Sequence, residues 1–161
     1  MRSLIYLCFQ MGCTRAEAKA HGAAYSRARA KREKHVVIST TELRYSVIVD
    51  FLHEFYMYPK LYNYFVVLLT PAELTGGLKR FLEIPIWQHR VIYIQGTVLD
   101  EDDLVRAKIN FAEGCFVLTS RTASDKREED EQTVLRAMSI KDFAPTCPLY
   151  MTVLLQFCYN L

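Results

Sequence analysis

Five cysteines, four histidines and the acidic run at 100–103 are among the side chains with the chemistry to hold a metal, attack a substrate or move a proton. The cysteines (Cys8, Cys13, Cys115, Cys147 and Cys158) are odd in number and widely spaced. Cys8 and Cys13 are followed by no cysteine or histidine group at the spacing of a zinc site. Cys115 sits inside Cys115-Phe116-Val117-Leu118 and reads as a small core residue. The set as a whole fits free thiols in a reducing compartment. His21 and His35 flank a basic stretch and are expected at the surface. His53, between Asp50 and Glu54 on a helix, reads as a solvated histidine. His89 precedes a strand, and no nucleophile stands at a motif spacing from it. Asp100-Glu101-Asp102-Asp103 lacks the glycine and closing glutamate of an EF-hand, and negative charge at the start of a helix accounts for it. No catalytic residue and no metal ligand are assigned.

A dinucleotide would need glycines in the turn after the first strand, because the backbone must approach the pyrophosphate. That turn reads Ser39-Thr40-Thr41-Glu42-Leu43-Arg44, without glycine, and Glu42 would repel a phosphate. The second strand ends in Thr70-Pro71 rather than in an acid for the ribose hydroxyls. No nicotinamide, flavin or S-adenosylmethionine cofactor is therefore expected.

The elements that would position these residues follow from periodicity. The 161 residues suit one domain, 51% of them are hydrophobic, and a net charge of +2 gives no field for nucleic acid. No apolar run approaches the ~20 residues of a membrane span. His35 to Ser39 is a short β-branched run, as in a buried parallel strand. Leu43, Val47, Phe51 and Phe55 recur every four residues with Ile48 and Leu52 beside them, which predicts a helix ended by Pro59. A second strand over 64–69 is followed by a helix from Pro71 to Leu82, and a third strand over 90–94 by a helix from Asp100 to Glu113. Gly114 is expected as the left-handed cap of that helix. Strand 115–119, helix 128–142 and an apolar run from Leu149 to Phe157 complete the pattern. Strand–helix alternation four times over predicts an α/β, Rossmann-type doubly wound domain with a mostly parallel sheet, helices on both faces and an incomplete last strand.

Two further segments ask for partners. Residues 26–35, Ser-Arg-Ala-Arg-Ala-Lys-Arg-Glu-Lys-His, read as a solvated linker over 22–34, or as an import patch or a contact for anionic lipid headgroups through Arg27, Arg29, Lys31, Arg32 and Lys34. On the helix at 128–142, Val134, Leu135 and Met138 cluster as the face expected on the sheet. Thr133, Ala137, Ile140 and Ala144 form a second stripe that fits either a neighbouring helix or a second chain. Residues 1–21 begin like a secretion signal, but the apolar part is short, ends at Gln10 and lacks a small-residue cleavage site directly after it. They are read as a disordered leader.

Several blocks, in order, resemble one family: His35-Val36-Val37, Asp50-Phe51-Leu52-His53-Glu54-Phe55-Tyr56, Arg90 to Gly96, Leu104-Val105-Arg106-Ala107-Lys108, and Lys141-Asp142-Phe143-Ala144-Pro145 with Cys147-Pro148-Leu149-Tyr150. From about Gly22 to Tyr150 the chain resembles the first RCK domain of large-conductance potassium channels, nearest the sodium-activated, Slack-type branch. The resemblance implies a Rossmann-like lobe over 35–150 without a nucleotide fingerprint. It implies a cytoplasmic gating ring of eight such domains from four subunits, whose expansion pulls on the pore. It favours assembly with other RCK domains through Thr133, Ala137, Ile140 and Ala144. Residues 1–21 and 151–161 depart from the family, the latter being a possible edge strand. Phe55 and Ile92 stand where calcium- and magnesium-binding carboxylates of the calcium-activated branch would fall, which argues against those sites. Rival readings are a soluble Rossmann enzyme and a free-standing fragment that interferes with channel assembly.

Overall fold

The computed structural model describes residues 24–154, so the expected leader, Cys8, Cys13, His21, Cys158 and the tail beyond Leu154 lie outside the described residues. Strand β1 (His35–Thr40) is buried along its whole length, and β2 (Phe65–Thr70) is buried but for its first residue. Runs with no polar alternation can be satisfied only in the middle of a sheet covered on both faces. The flanking strands are β3 (Val91–Gln95), β4 (Gly114–Leu118) and the short β5 (Leu149–Met151). Their order is β3-β2-β1-β4-β5, and all four pairings are parallel. Val37 stands opposite Val67 on one side and Cys115 on the other. The chain therefore winds outward in one direction through β3, crosses back, and resumes at β4. The doubly wound α/β fold expected from the alternation is the one observed.

Helices α1 (Arg27–Arg32), α2 (Tyr45–Met57), α3 (Gly76–Leu82), α4 (Pro85–Gln88), α5 (Glu101–Ala107) and α6 (Lys126–Phe143) cover the sheet. One core places Ile48, Leu52, Leu78, Phe81 and Trp87 on Val36, Ile38, Val66 and Leu68. The other places Tyr25, Leu104, Ala107 and Ile140 on Val37, Val67, Cys115 and Val117.

Four local expectations are corrected. The inward face of α2 is Ile48-Leu52-Phe55, and Val47 is 39% exposed. A strict four-residue rhythm drifts by about 40° per step on a 3.6-residue helix, so it cannot stay on one face. Helix α3 starts at Gly76, because the Thr70 hydroxyl accepts the Ala72 N–H at 3.2 Å and turns the chain first. Helix α5 ends at Ala107, where Lys108 takes the left-handed conformation at φ 56°, and Gly114 is the first residue of β4. The basic segment is not an open linker: residues 27–32 are helical, and Tyr25 and Ala30 are buried in the second core.

Candidate functional site

A doubly wound sheet offers a ligand the crevice where its winding reverses, here between the carboxyl ends of β1 and β4. In this protein side chains close it. Ser120 Oγ donates to the Glu42 carboxylate at 2.7 Å, Thr122 Oγ1 at 3.5 Å and Arg44 Nε at 3.2 Å. Glu129, from the first turns of α6, accepts from Arg136 Nη2 at 2.8 Å and from Thr41 Oγ1 and the Ser120 N–H, each at 3.4 Å. Arg136 is 4% exposed and also reaches Thr133 Oγ1 at 3.2 Å and the Gln132 carbonyl at 3.1 Å. Thr119 bonds Thr133 and the Thr152 carbonyl, and Asp130 accepts the Leu154 N–H at 2.8 Å. These bonds fasten the β1–α2 loop, the β4–α6 loop and the segment after β5 to one helix. Chemically the arrangement is a clasp, and its carboxylates repel an anion.

The acids at 100–103 also serve the fold. Asp100 caps α5 by accepting the Asp102 N–H at 3.0 Å. Asp103 accepts the Thr97 N–H at 2.9 Å and pairs with Arg106 at 2.5 Å.

Helix α6 is turned opposite to expectation. Thr133, Ala137, Ile140 and Ala144 are the buried stripe, at 0%, 6%, 0% and 1% exposure, so they are not an assembly surface. Val134, Leu135 and Met138 face outward at 41%, 51% and 56%. The small residues let α6 lie close on the sheet, and its inward polar residues are those that close the clasp. What remains outside is an apolar face. Leu135 and Met138 meet Leu99, Leu104 and Phe143 along a groove of about 720 Å³ between α5 and α6, with Glu101, Ser139 and Asp142 on its rim. A smaller hollow of about 160 Å³ continues it past Val105 and Phe111 to Arg27.

Of the five basic candidates, Arg27, Lys31, Arg32 and Lys34 are exposed. Arg29 instead pairs with Glu33 at 2.8 Å and lies over the Phe65 ring at 4.7 Å. Lys34 stands 3.9 Å from Glu113 and over Tyr64. His35 is buried rather than exposed, with Tyr25 folded over it. Burial also pushes the Cys115 thiol far up, which leaves it inert at neutral pH.

Residues 31–151 match the model of the calcium-activated potassium channel slowpoke-like RCK domain. The chain belongs to this RCK family. It is 49% identical over 138 residues to Potassium channel subfamily T member 1 of mouse and of human, and likewise to the chicken protein. The match takes 86% of this chain but only 11% of the mouse protein, so the chain spans a small part of its relatives' length. The structure of the human SLO3 gating ring shares the fold, with a TM-score of 0.55 and 18% identity over 75% of this chain and 19% of that one.

Within this RCK chain, Phe55 is packed among aromatic rings, at 5.8 Å from Phe51 and 5.2 Å from Tyr56 between centroids. Asp50 remains exposed on α2. Sequence reasoning missed the α5–α6 groove and the clasp. The groove had a signal in Leu99 and Val105, apolar residues left over beside a helix already supplied with Leu104 and Ala107. The clasp had none, since Asp130 and Arg136 look like any solvated pair on a charged helix. Among the described residues, no helix is long and apolar enough to cross a membrane.

Proposed function

We propose that this chain is a cytoplasmic regulatory lobe of a potassium channel of the sodium-activated type, acting by assembly with other RCK domains to control pore opening. The observation that carries it is the 49% identity over 138 residues to Potassium channel subfamily T member 1. The α5–α6 face supports the assembly part of the reading. Leu99, Leu135 and Met138 are each more than half exposed around one groove, and an apolar patch with a polar rim is the usual form of a protein contact. The occupant is a second RCK lobe. The clasp at the switch point and the carboxylate of Glu42 within it support a non-enzymatic lobe, as does kinship with channel proteins. Arg27, Lys31 and Arg32 supply charge for an anionic headgroup contact, which co-sedimentation with phosphatidylserine vesicles would test.

The deciding experiment replaces the matching region of the mouse relative with residues 31–151 of this chain and records potassium current from patches. Current that responds to cytoplasmic sodium is the expected result. A chimera that reaches the surface as a folded tetramer and stays silent overturns the reading. Leu135→Asp with Met138→Asp should weaken tetramer assembly while leaving the melting temperature of the chain nearly unchanged.

A further inference from the structure

His35 opens the central strand and is 0% exposed. Its Nε2 lies 3.2 Å from the Lys108 carbonyl oxygen, and its Nδ1 has no hydrogen-bond partner among the described residues. The Tyr25 ring covers the imidazole, with centroids 4.7 Å apart. Tyr25 is anchored by its own N–H on the Arg106 carbonyl at 2.9 Å, and α1 follows directly from it. The imidazole is therefore the surface on which the N-terminal segment is seated.

We propose that His35 is a proton-sensitive latch, which seats Tyr25 and α1 on the lobe when neutral and releases them when protonated. A second proton would place a charge in a contact closed to water, on a nitrogen that has no hydrogen-bond partner among the described residues of the seated lobe. The charged groups around it do not offset this. Glu33 is engaged by Arg29 Nε at 2.8 Å and by the Tyr25 hydroxyl at 3.3 Å. Glu113, from the turn into β4, has a side chain 48% exposed and stands 3.9 Å from Lys34. Lys108, from the corner after α5, meets the ring through its backbone carbonyl. The carbonyls of Lys108, Glu33 and Ala107 and the charge of Glu113 favour the cation, yet burial outweighs them and holds His35 below its ordinary value of 6.5. The released segment thus binds more protons than the seated one. The latch is complete above about pH 6.5 and weakens as pH falls through 6.5 toward the folded value, by up to about tenfold per pH unit for one proton. This inference stands independently of the channel reading.

Amide hydrogen exchange on the full chain tests it, with rates normalised for the intrinsic effect of pH. Between pH 6.5 and 5.5 the protection of the Tyr25 amide should fall by several-fold toward the one-proton limit of about tenfold, while that of Leu68 in β2 holds. His35→Gln, which keeps a donor but cannot take up a proton, should lose this response. Equal Tyr25 protection at both pH values, or an unchanged acid response in His35→Gln, overturns the proposal. Should that variant not fold, the ring of the native protein decides by NMR. An imidazole titrating at or above 6.5 with Tyr25 still protected overturns the latch. Titration below 6.5, in step with loss of Tyr25 protection, supports it.

Discussion

Ile140 and Met138 stand two residues apart on α6, and the helix sends one into the core at 0% exposure and the other to solvent at 56%. Ile140→Ala removes three side-chain carbons from a contact with the sheet. At ~0.8 kcal/mol per buried carbon the transfer loss is about 2.4 kcal/mol, and the unfilled space brings the total to roughly 3–4 kcal/mol. For a domain of this length each kcal/mol lowers the melting temperature by about 2–4 °C, so a fall of roughly 6–16 °C is expected. Met138→Ala strips a solvent-facing chain and should stay within about 0.5 kcal/mol of the parent. Circular dichroism melts of the two variants beside the parent chain give the comparison directly. A stable Ile140→Ala with an unstable Met138→Ala would refute the reasoning, because α6 would then lie on the sheet by its other face.

Three further outcomes are expected. Gly96→Ala would drive its new Cβ into the Asp103 carboxylate, displacing the acceptor of the Thr97 N–H and the partner of Arg106, and should lower stability in urea by about 2 kcal/mol; an unaffected variant would mean that Asp103 is free to move. Glu129→Ala leaves the guanidinium of Arg136, whose side chain is 5% exposed, without its carboxylate, and should cost about 3 kcal/mol at unchanged denaturant slope; a loss below about 1 kcal/mol would mean that the clasp contributes little. NAD, NADP and ATP should leave the melting temperature unchanged, whereas a ligand at 100 times its dissociation constant would add about 2.7 kcal/mol of stability.

The sheet was legible because fully buried parallel strands are written as unbroken apolar runs, and Val36-Val37-Ile38 and Val66-Val67-Leu68-Leu69 have no second interpretation at that length. The phase of α6 was not, since ranking its stripes by size and apolarity presumes that the helix lies wholly over apolar strands. Its first turns lie over the polar carboxyl ends of β1 and β4 instead. There Asp130, Thr133 and Arg136 are buried with Leu154, Thr119 and Glu129 as hydrogen-bond partners, although Arg136 Nη1 finds none among the described residues. Those partners come from three places in the chain, and no local pattern records them. His35 failed for a related reason. Beside a basic run it looks solvated, yet it opens a central strand, and Tyr25, ten residues earlier, packs on its ring.

Glu42 joins these observations. Within the turn after β1 it is an anion where a phosphate-binding loop would present glycine amides, a reason for a nucleotide to stay away. In the folded lobe the same carboxylate takes the hydroxyls of Ser120 and Thr122 from the opposite side of the crevice. A hydroxyl bonded to a carboxylate is worth more than one bonded to a neutral acceptor, so two loops that a ligand would otherwise bridge are held by the protein itself. A lobe fastened in this way can pass a displacement from β1 and α1 to α6 without a bound small molecule. Under the proposed channel role, that is the mechanical property required of a lobe whose α5–α6 face would carry the contact with a second RCK lobe.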